Sequence, residues 1–213
     1  MKIGILGSGL MGENIGSVFA RLGHEVIFSY SRSLEKLQRL ADKAGNGASA
    51  GSPREVATQA EVIVLAVHWS QLEDVLAQAG DLAGKVILSC TVPLDLSNTH
   101  LVVGHTDSGA EAIARKLPGC QVVAAFQATP SEVLQDVYQG RSRSPRPSMV
   151  YCGDDRISKK RVSKLLDEFG FEPIDAGPLR LARYIEPFAM LATALAYGTD
   201  QGPQWIYQFG RLK

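Results

Sequence analysis

The sequence predicts an α/β fold of the Rossmann type, doubly wound around a mainly parallel sheet, with a short α/β extension at its C-terminal end. Three observations predict it. Strand and helix patterns alternate through the first 130 residues, the order that right-handed crossovers between parallel strands require. The run Val62–Val67 is apolar throughout, as in a strand covered on both faces. An apolar strand, Ile3-Gly4-Ile5-Leu6, also leads straight into Gly7-Ser8-Gly9-Leu10-Met11-Gly12 and then a helical pattern.

Taken in order, Lys2–Leu6 reads as a strand and Leu10–Leu22 as a helix closed by Gly23. Glu25–Tyr30 is the second strand and Leu34–Ala44 the second helix, stopped by Gly45-Asn46-Gly47. Beyond a Gly/Ser/Ala-rich stretch, Pro53 opens a short helix to about Gln59. Strands are expected at Val62–Val67, Val86–Ser89 and Gln121–Phe126, with helices at Gln71–Gln78 and Glu111–Leu117. From Ser131 the character changes. A basic, proline-bearing loop, Arg141–Pro147, precedes a strand at Met149–Cys152, a helix at Lys159–Phe169 and a strand at Phe171–Ile174. A long helix follows from near Pro178 to about Tyr197, with Leu181, Ile185, Phe188, Leu191, Ala192 and Leu195 on one apolar stripe. That stripe is expected to complete the core or to form a homodimer seam. The reading is one globular unit, with a dinucleotide-binding core at 1–130 and an extension at 131–213.

The glycine-rich turn is G-x-G-x-x-G in the setting that a dinucleotide diphosphate needs. Gly7 permits the tight turn, Gly9 lets the backbone approach the diphosphate, and Gly12 lets the helix pack close to the strand. The helix N-terminus then presents free N–H groups and the positive end of its dipole to the anion.

Bulk properties exclude several classes. The chain has 213 residues, 45% hydrophobic and 21% charged, with zero formal net charge, so nothing draws it to nucleic acid or to an anionic membrane surface. Arg183, Glu186 and Pro187 interrupt the most apolar late segment and argue against a membrane span. Cys90, Cys120 and Cys152 are odd in number and far apart, which suits small core residues rather than disulfides or a metal site. His100 and His105 lack metal-ligand spacing, and no metal is expected. With a first strand starting at Lys2, no leader is expected, and the expected setting is cytoplasmic.

The end of the second strand selects the cofactor. An NAD site places Asp or Glu there, about 20 residues beyond the glycines, to hold the ribose hydroxyls. This chain has Ser31-Arg32-Ser33 instead, with Lys36 one turn into the next helix. Serine hydroxyls and an arginine fork suit a 2′-phosphate, and Arg32 can also stack on the adenine. NADP(H) is therefore expected over NAD(H).

GSGLMG, Ser31-Arg32, the Val67-His68-Trp69 strand exit, Val92-Pro93 and the pair CGDD (Cys152–Asp155) and DAGPL (Asp175–Leu179) together resemble the NADPH-dependent reductases of the deazaflavin coenzyme F-420. A wider likeness is to the NADPH-flavin domains of membrane metalloreductases. The resemblance implies direct hydride transfer between nicotinamide and a deazaflavin or flavin (FMN or FAD), with the protein orienting the two and excluding water. It places Ser8 to Met11 on the diphosphate, Ser31, Arg32 and Lys36 on the 2′-phosphate, and Val67, His68 and Pro93 beside the nicotinamide. The chain departs from that pattern at His68, where proline is common, and at Gln127, where histidine would be expected.

His68 and Gln127 are the candidates for a catalytic role, and Trp69, Gln127 and Thr129 for contact with the acceptor. His24 is expected at the surface, and the arginines of the 141–147 loop either in solvent or clamping an anionic tail of the acceptor. Trp205, Tyr207 and Phe209 are expected to cap either the site or a dimer seam. Two other functions fit the nucleotide motif. One is reduction of a small imine or carbonyl compound, which such enzymes carry out with a longer helical domain. The other is a non-catalytic NADPH-binding sensor.

Overall fold

The computed structural model describes residues 1–212. Eight strands form one sheet: β1 (Lys2–Leu6), β2 (Glu25–Ser29), β3 (Ser49–Ala50), β4 (Val62–Leu65), β5 (Val86–Ser89), β6 (Gln121–Ala124), β7 (Ser148–Gly153) and β8 (Glu172–Gly177). Their spatial order is β3-β2-β1-β4-β5-β6-β7-β8. The pairings from β3 to β6 are parallel, β7 reverses against β6, and β8 runs parallel to β7.

Eight helices cover the two faces: α1 (Leu10–Arg21), α2 (Leu34–Ala44), α3 (Pro53–Gln59), α4 (Leu72–Ala79), α5 (Gly109–Lys116), α6 (Leu134–Gln139), α7 (Arg156–Phe169) and α8 (Ala182–Tyr197). Because strand side chains alternate between faces, β4 gives Val62 and Val64 to one core and Ile63 and Leu65 to the other. The first core joins Phe19 of α1 to Phe126, Phe169 and Phe171, four fully enclosed rings whose neighbours meet at 5.5–5.8 Å. The second packs β4 and β5 under α3, α4 and α5, with Ala182 and Ile185 of α8.

Local chemistry sets the helix ends. Ser52 and Glu55 form a capping box behind Pro53 at the start of α3, and Ser33 caps α2 by accepting the Lys36 N–H. The CGDD and DAGPL segments are structural. Asp155 caps α7 through the Ser158 N–H, Asp154 accepts the Leu179 N–H, and Asp175 holds both the Gly177 N–H and Lys159.

Several expectations are corrected. The sixth strand stops at Ala124, because Phe126 lies at φ 72° and turns the chain out of the ladder. The second strand stops at Ser29, with Tyr30 at φ 61°. The two-residue β3 and the six-residue α6 were not expected. The last helix begins at Ala182 after a 3-10 turn, and its buried face is Ala182, Ile185, Glu186, Ala189 and Ala196. Of the expected stripe only Ile185 is buried, while Leu191 is 56% exposed. Phe188 is covered by the chain's own tail, edge-on to Tyr207 at 5.2 Å. The tail is held by the Ser148 N–H on the Tyr207 carbonyl, and by the Phe209 N–H on Ser148 Oγ.

His24 is buried rather than exposed, with Nε2 3.1 Å from Glu168 Oε2 and its ring edge-on to Phe19. Arg146 pairs with Asp167 and Glu172, and Arg141 stacks on Tyr138, so the basic loop is anchored at both ends. No helix among the described residues is long and apolar enough to cross a membrane.

Candidate functional site

Two adjoining clefts open beyond the carboxyl ends of the parallel strands, where the chain winds away from β1 in both directions. The larger, about 840 Å³, has Gly7, Ser8 and Gly9 at one end. Tyr30–Ser33 and Lys36 form one side, and Ser70, Gln71, Asp74 and Gln78 the other. The smaller, about 310 Å³, lies among Leu10, Met11, Cys90–Val92, Leu94, Gln127–Ser131 and three residues of α8, Ala192, Thr193 and Tyr197. Gly9, Ala66, Val67 and His68 border both, so the clefts form one elongated channel bent at the glycine turn.

The turn is built to leave that space open. Gly7 sits at φ 128°, and a Cβ there would strike the Ala66 carbonyl. A Cβ on Gly12 would strike the Gly7 carbonyl, so Gly12 lies beneath the turn and lines neither cleft. Gly9 differs from both. Its backbone is ordinary, at φ −77°, and a Cβ would meet nothing within 4 Å. Nothing within the protein requires glycine there, which fits a diphosphate lying against that backbone. No side chain caps α1, leaving its first N–H groups to an external acceptor.

At the far end of the larger cleft, Arg32 and Lys36 form no ion pair among the described residues. Ser31 Oγ accepts the Ser33 N–H at 3.2 Å, which leaves its own proton to donate outward. A hydroxyl donor with two uncommitted cations fits a phosphomonoester on the adenosine ribose.

In the smaller cleft, Gln127 is 8% exposed and neither its amide nitrogen nor its oxygen has a partner. Leaving a buried donor and acceptor unmet costs roughly 1–3 kcal/mol, and the left-handed Phe126 that aims it costs about 1–3 kcal/mol more. Thr129 lies beside it, 5% exposed. Among the described residues no Lys, Arg, Asp or Glu lines this cleft. Burial pushes the Cys90 thiol far above its usual range, so it stays protonated. The Tyr197 hydroxyl donates to Glu132 at 2.8 Å, and burial followed by that bond raises its pKa.

His68 borders both clefts, but its ring nitrogens are committed. Nδ1 accepts the Ser70 N–H at 3.2 Å, so Nε2 carries the proton toward the Asp95 carbonyl at 3.2 Å and Asn98 Oδ1 at 3.1 Å. The imidazole fastens the 95–100 loop, which Asp95 closes by accepting from Ser97, Thr99 and His100. Trp69 and Pro93 line neither cleft. Trp69 faces Leu94, Leu96 and Val102 in a separate shallow groove, and the Pro93 ring abuts Gly109.

Position on a strand end could have drawn attention to Tyr30, Ala66, Cys90 and Thr91. No local signal marks Asp74, Ala192, Thr193 or Tyr197, which helices deliver from elsewhere in the chain.

Comparison with known sequences accords with this geometry. Residues 2–93 match the profile of the family described as NADP oxidoreductase coenzyme F420-dependent. That segment, less than half of the chain, is similar to the NADP-dependent oxidoreductases of that family. A crystal structure from Arthrobacter sp. FB24, provisionally described as an F420-dependent NADP reductase, superposes with a TM-score of 0.86 at 27% identity, covering 99% of this chain and 100% of that one. The rat metalloreductase STEAP3 is 29% identical over 185 residues, covering 87% of this chain and 36% of that protein. The chain thus spans about a third of the length of the curated relatives it matches. A reductive aminase from Aspergillus terreus, solved with NADPH and ethyl-5-oxohexanoate, shares the fold at a TM-score of 0.67 and 18% identity, over 91% of this chain and 61% of that one.

Proposed function

We propose that the protein transfers hydride between NADP(H) and a deazaflavin or flavin-type acceptor. The observation that carries this reading is the contrast between the two ends of one channel. The larger cleft has uncommitted cations for a phosphorylated ribose, and the smaller is uncharged with a single unpartnered carboxamide.

Bound NADPH supplies the hydride from its nicotinamide ring, and the acceptor's own ring system takes it up. The chain's residues bind and orient. Ser31, Arg32 and Lys36 hold the 2′-phosphate, Ser33 caps the helix that carries Lys36, and the amides of Ser8 to Met11 take the diphosphate. Val67 and the His68 backbone border the nicotinamide end. Gln127 satisfies its amide on a ring carbonyl or nitrogen of the acceptor, beside Thr129.

Hydride transfer between two stacked rings needs positioning more than an acid or base at the reacting atoms, because the reduced ring can leave as its anion and take its proton from solvent. Reduction of an imine or carbonyl needs a proton donor at the reacting atom. Of the side chains here that could give one up, Tyr197 and Cys90 have raised pKa values and the His68 N–H is engaged by the Asp95 carbonyl and Asn98, which makes that reading the weaker. The test is NADPH oxidation followed optically with deazaflavin, FMN, FAD and ferric chelates in parallel. Turnover with a flavin or deazaflavin supports the proposal. Tight NADPH binding with no turnover favours a sensor, and turnover confined to imines or ketones favours the alternative enzyme.

A further inference from the structure

Asp74 is an acid in a cleft otherwise suited to a phosphate, and the reading above gives it no role. It stands near the start of α4, on the wall of the larger cleft that also carries Gln78. Its two oxygens are used unequally. Oδ2 accepts from the Tyr30 hydroxyl at 2.7 Å and from Gln78 Nε2 at 2.9 Å, whereas Oδ1 has no partner among the described residues.

Tyr30 reaches Asp74 from the strained end of β2, directly before the Ser31-Arg32 pair. A tyrosine at φ 61° is held against its preference; its ring packs against the second core and its hydroxyl reaches Asp74. Burial and the Asp74 hydrogen bond push the Tyr30 hydroxyl up to about 12, so it stays a donor at physiological pH. The carboxylate is thus pinned through one oxygen, with the other left to accept.

We propose that Asp74 reads the amino edge of the adenine, making the larger cleft selective for a 6-amino purine over a 6-oxo purine. This rests on the NADP(H) reading. An ionised carboxylate only accepts hydrogen bonds. At the 6-position adenine offers the donors of its exocyclic amine, whereas hypoxanthine and guanine offer lone pairs there and place their N–H donor at N1, so the discrimination requires the free oxygen to face the 6-substituent itself. With the ribose phosphate held by Arg32 and Lys36, the base reaches toward the α4 wall, where Asp74 and Gln78 stand.

The experiment measures dissociation constants for NADPH and its hypoxanthine analogue by calorimetry, on the full chain and on Asp74→Asn. Asparagine keeps the size and the oxygen that Tyr30 needs, and adds an N–H₂ suited to a 6-oxygen. The wild type should prefer NADPH by about tenfold or more, the size expected for one hydrogen bond to a charged group. Asp74→Asn should bring the preference to near unity or invert it, with an unchanged thermal midpoint. Tyr30→Phe, which frees the carboxylate, should reduce it part-way. A wild type that binds both within about twofold, or a preference that survives Asp74→Asn, overturns the inference alone. A wild type that binds neither overturns the NADP(H) reading and this inference with it.

Discussion

The Cβ that Gly7 lacks would strike the Ala66 carbonyl, whereas the Cβ that Gly9 lacks would meet no atom within 4 Å. The fold requires glycine at position 7, whereas nothing in the described structure requires it at position 9. Gly9→Ala should therefore leave the thermal midpoint unchanged or raise stability by about 0.4–1 kcal/mol, while weakening NADPH by at least about tenfold. Gly7→Ala should lose soluble protein. Unimpaired NADPH binding by Gly9→Ala would refute the diphosphate assignment.

Arg32→Ala removes one of the two uncommitted cations. NADPH affinity should fall by on the order of 1.5–3 kcal/mol, the range for a charged hydrogen bond, with NADH affected far less. Calorimetry with both nucleotides decides it, since equal losses would mean that Arg32 serves the shared part of the molecule.

Gln127 predicts the opposite behaviour of stability and activity. Leucine at this position removes a buried, unpartnered amide, so Gln127→Leu should gain about 1 kcal/mol in denaturant unfolding. Turnover with the acceptor should fall while NADPH affinity holds. A loss of stability with normal turnover would show the amide to be structural.

Glu186 gives a pH dependence. Its carboxyl is 1% exposed, accepts the Gly109 and Ala110 N–H groups at 2.8 and 3.0 Å, and so pins α8 to the start of α5. Beside it Arg183 grips Glu111 in a two-bond fork, and Asp107, which Arg115 pairs, adds negative charge nearby. Burial outweighs the two N–H donors and raises Glu186 to about 7, from 4.5 in a free peptide. The native state therefore holds a proton that the unfolded chain releases at lower pH. Stability from this group is full below about pH 4.5 and is lost as pH rises to about 7, by up to about 1.4 kcal/mol per unit. Urea unfolding at pH 5 and pH 8 should show the fall in the wild type and a smaller one in Glu186→Gln. Parallel curves for the two proteins would rule Glu186 out.

The larger cleft was legible because its signals are local. Strand, glycine turn and helix lie within the first 21 residues, and Ser31, Arg32 and Lys36 follow one strand later. The smaller cleft was legible only in part. Gln127 and Thr129 could be named from a strand end, but the turn at Phe126 that aims Gln127 is set by the surrounding phenylalanine core. Trp69 and Pro93, named from strand exits, lie outside the lining of both clefts because short irregular segments intervene, the 3-10 turn at Trp69–Gln71 and the His68-anchored loop. In α8 the apolar stripe misled because the buried face includes Glu186 and mostly small residues, while the larger side chains meet the tail or solvent.

Because β7 runs against β6 and β8 runs parallel to β7, the carboxyl ends of both point away from the channel, and among the described residues no strand beyond Ala124 gives it a carboxyl-end loop. That vacancy is filled by the last helix, reaching back from residues 192–197. Under the proposed reading, the residues for the 2′-phosphate and the α8 residues of the smaller cleft lie in separate stretches of chain. Exchanging residues 182–212 for those of a relative should then alter turnover with the acceptor while the preference for NADPH over NADH is kept.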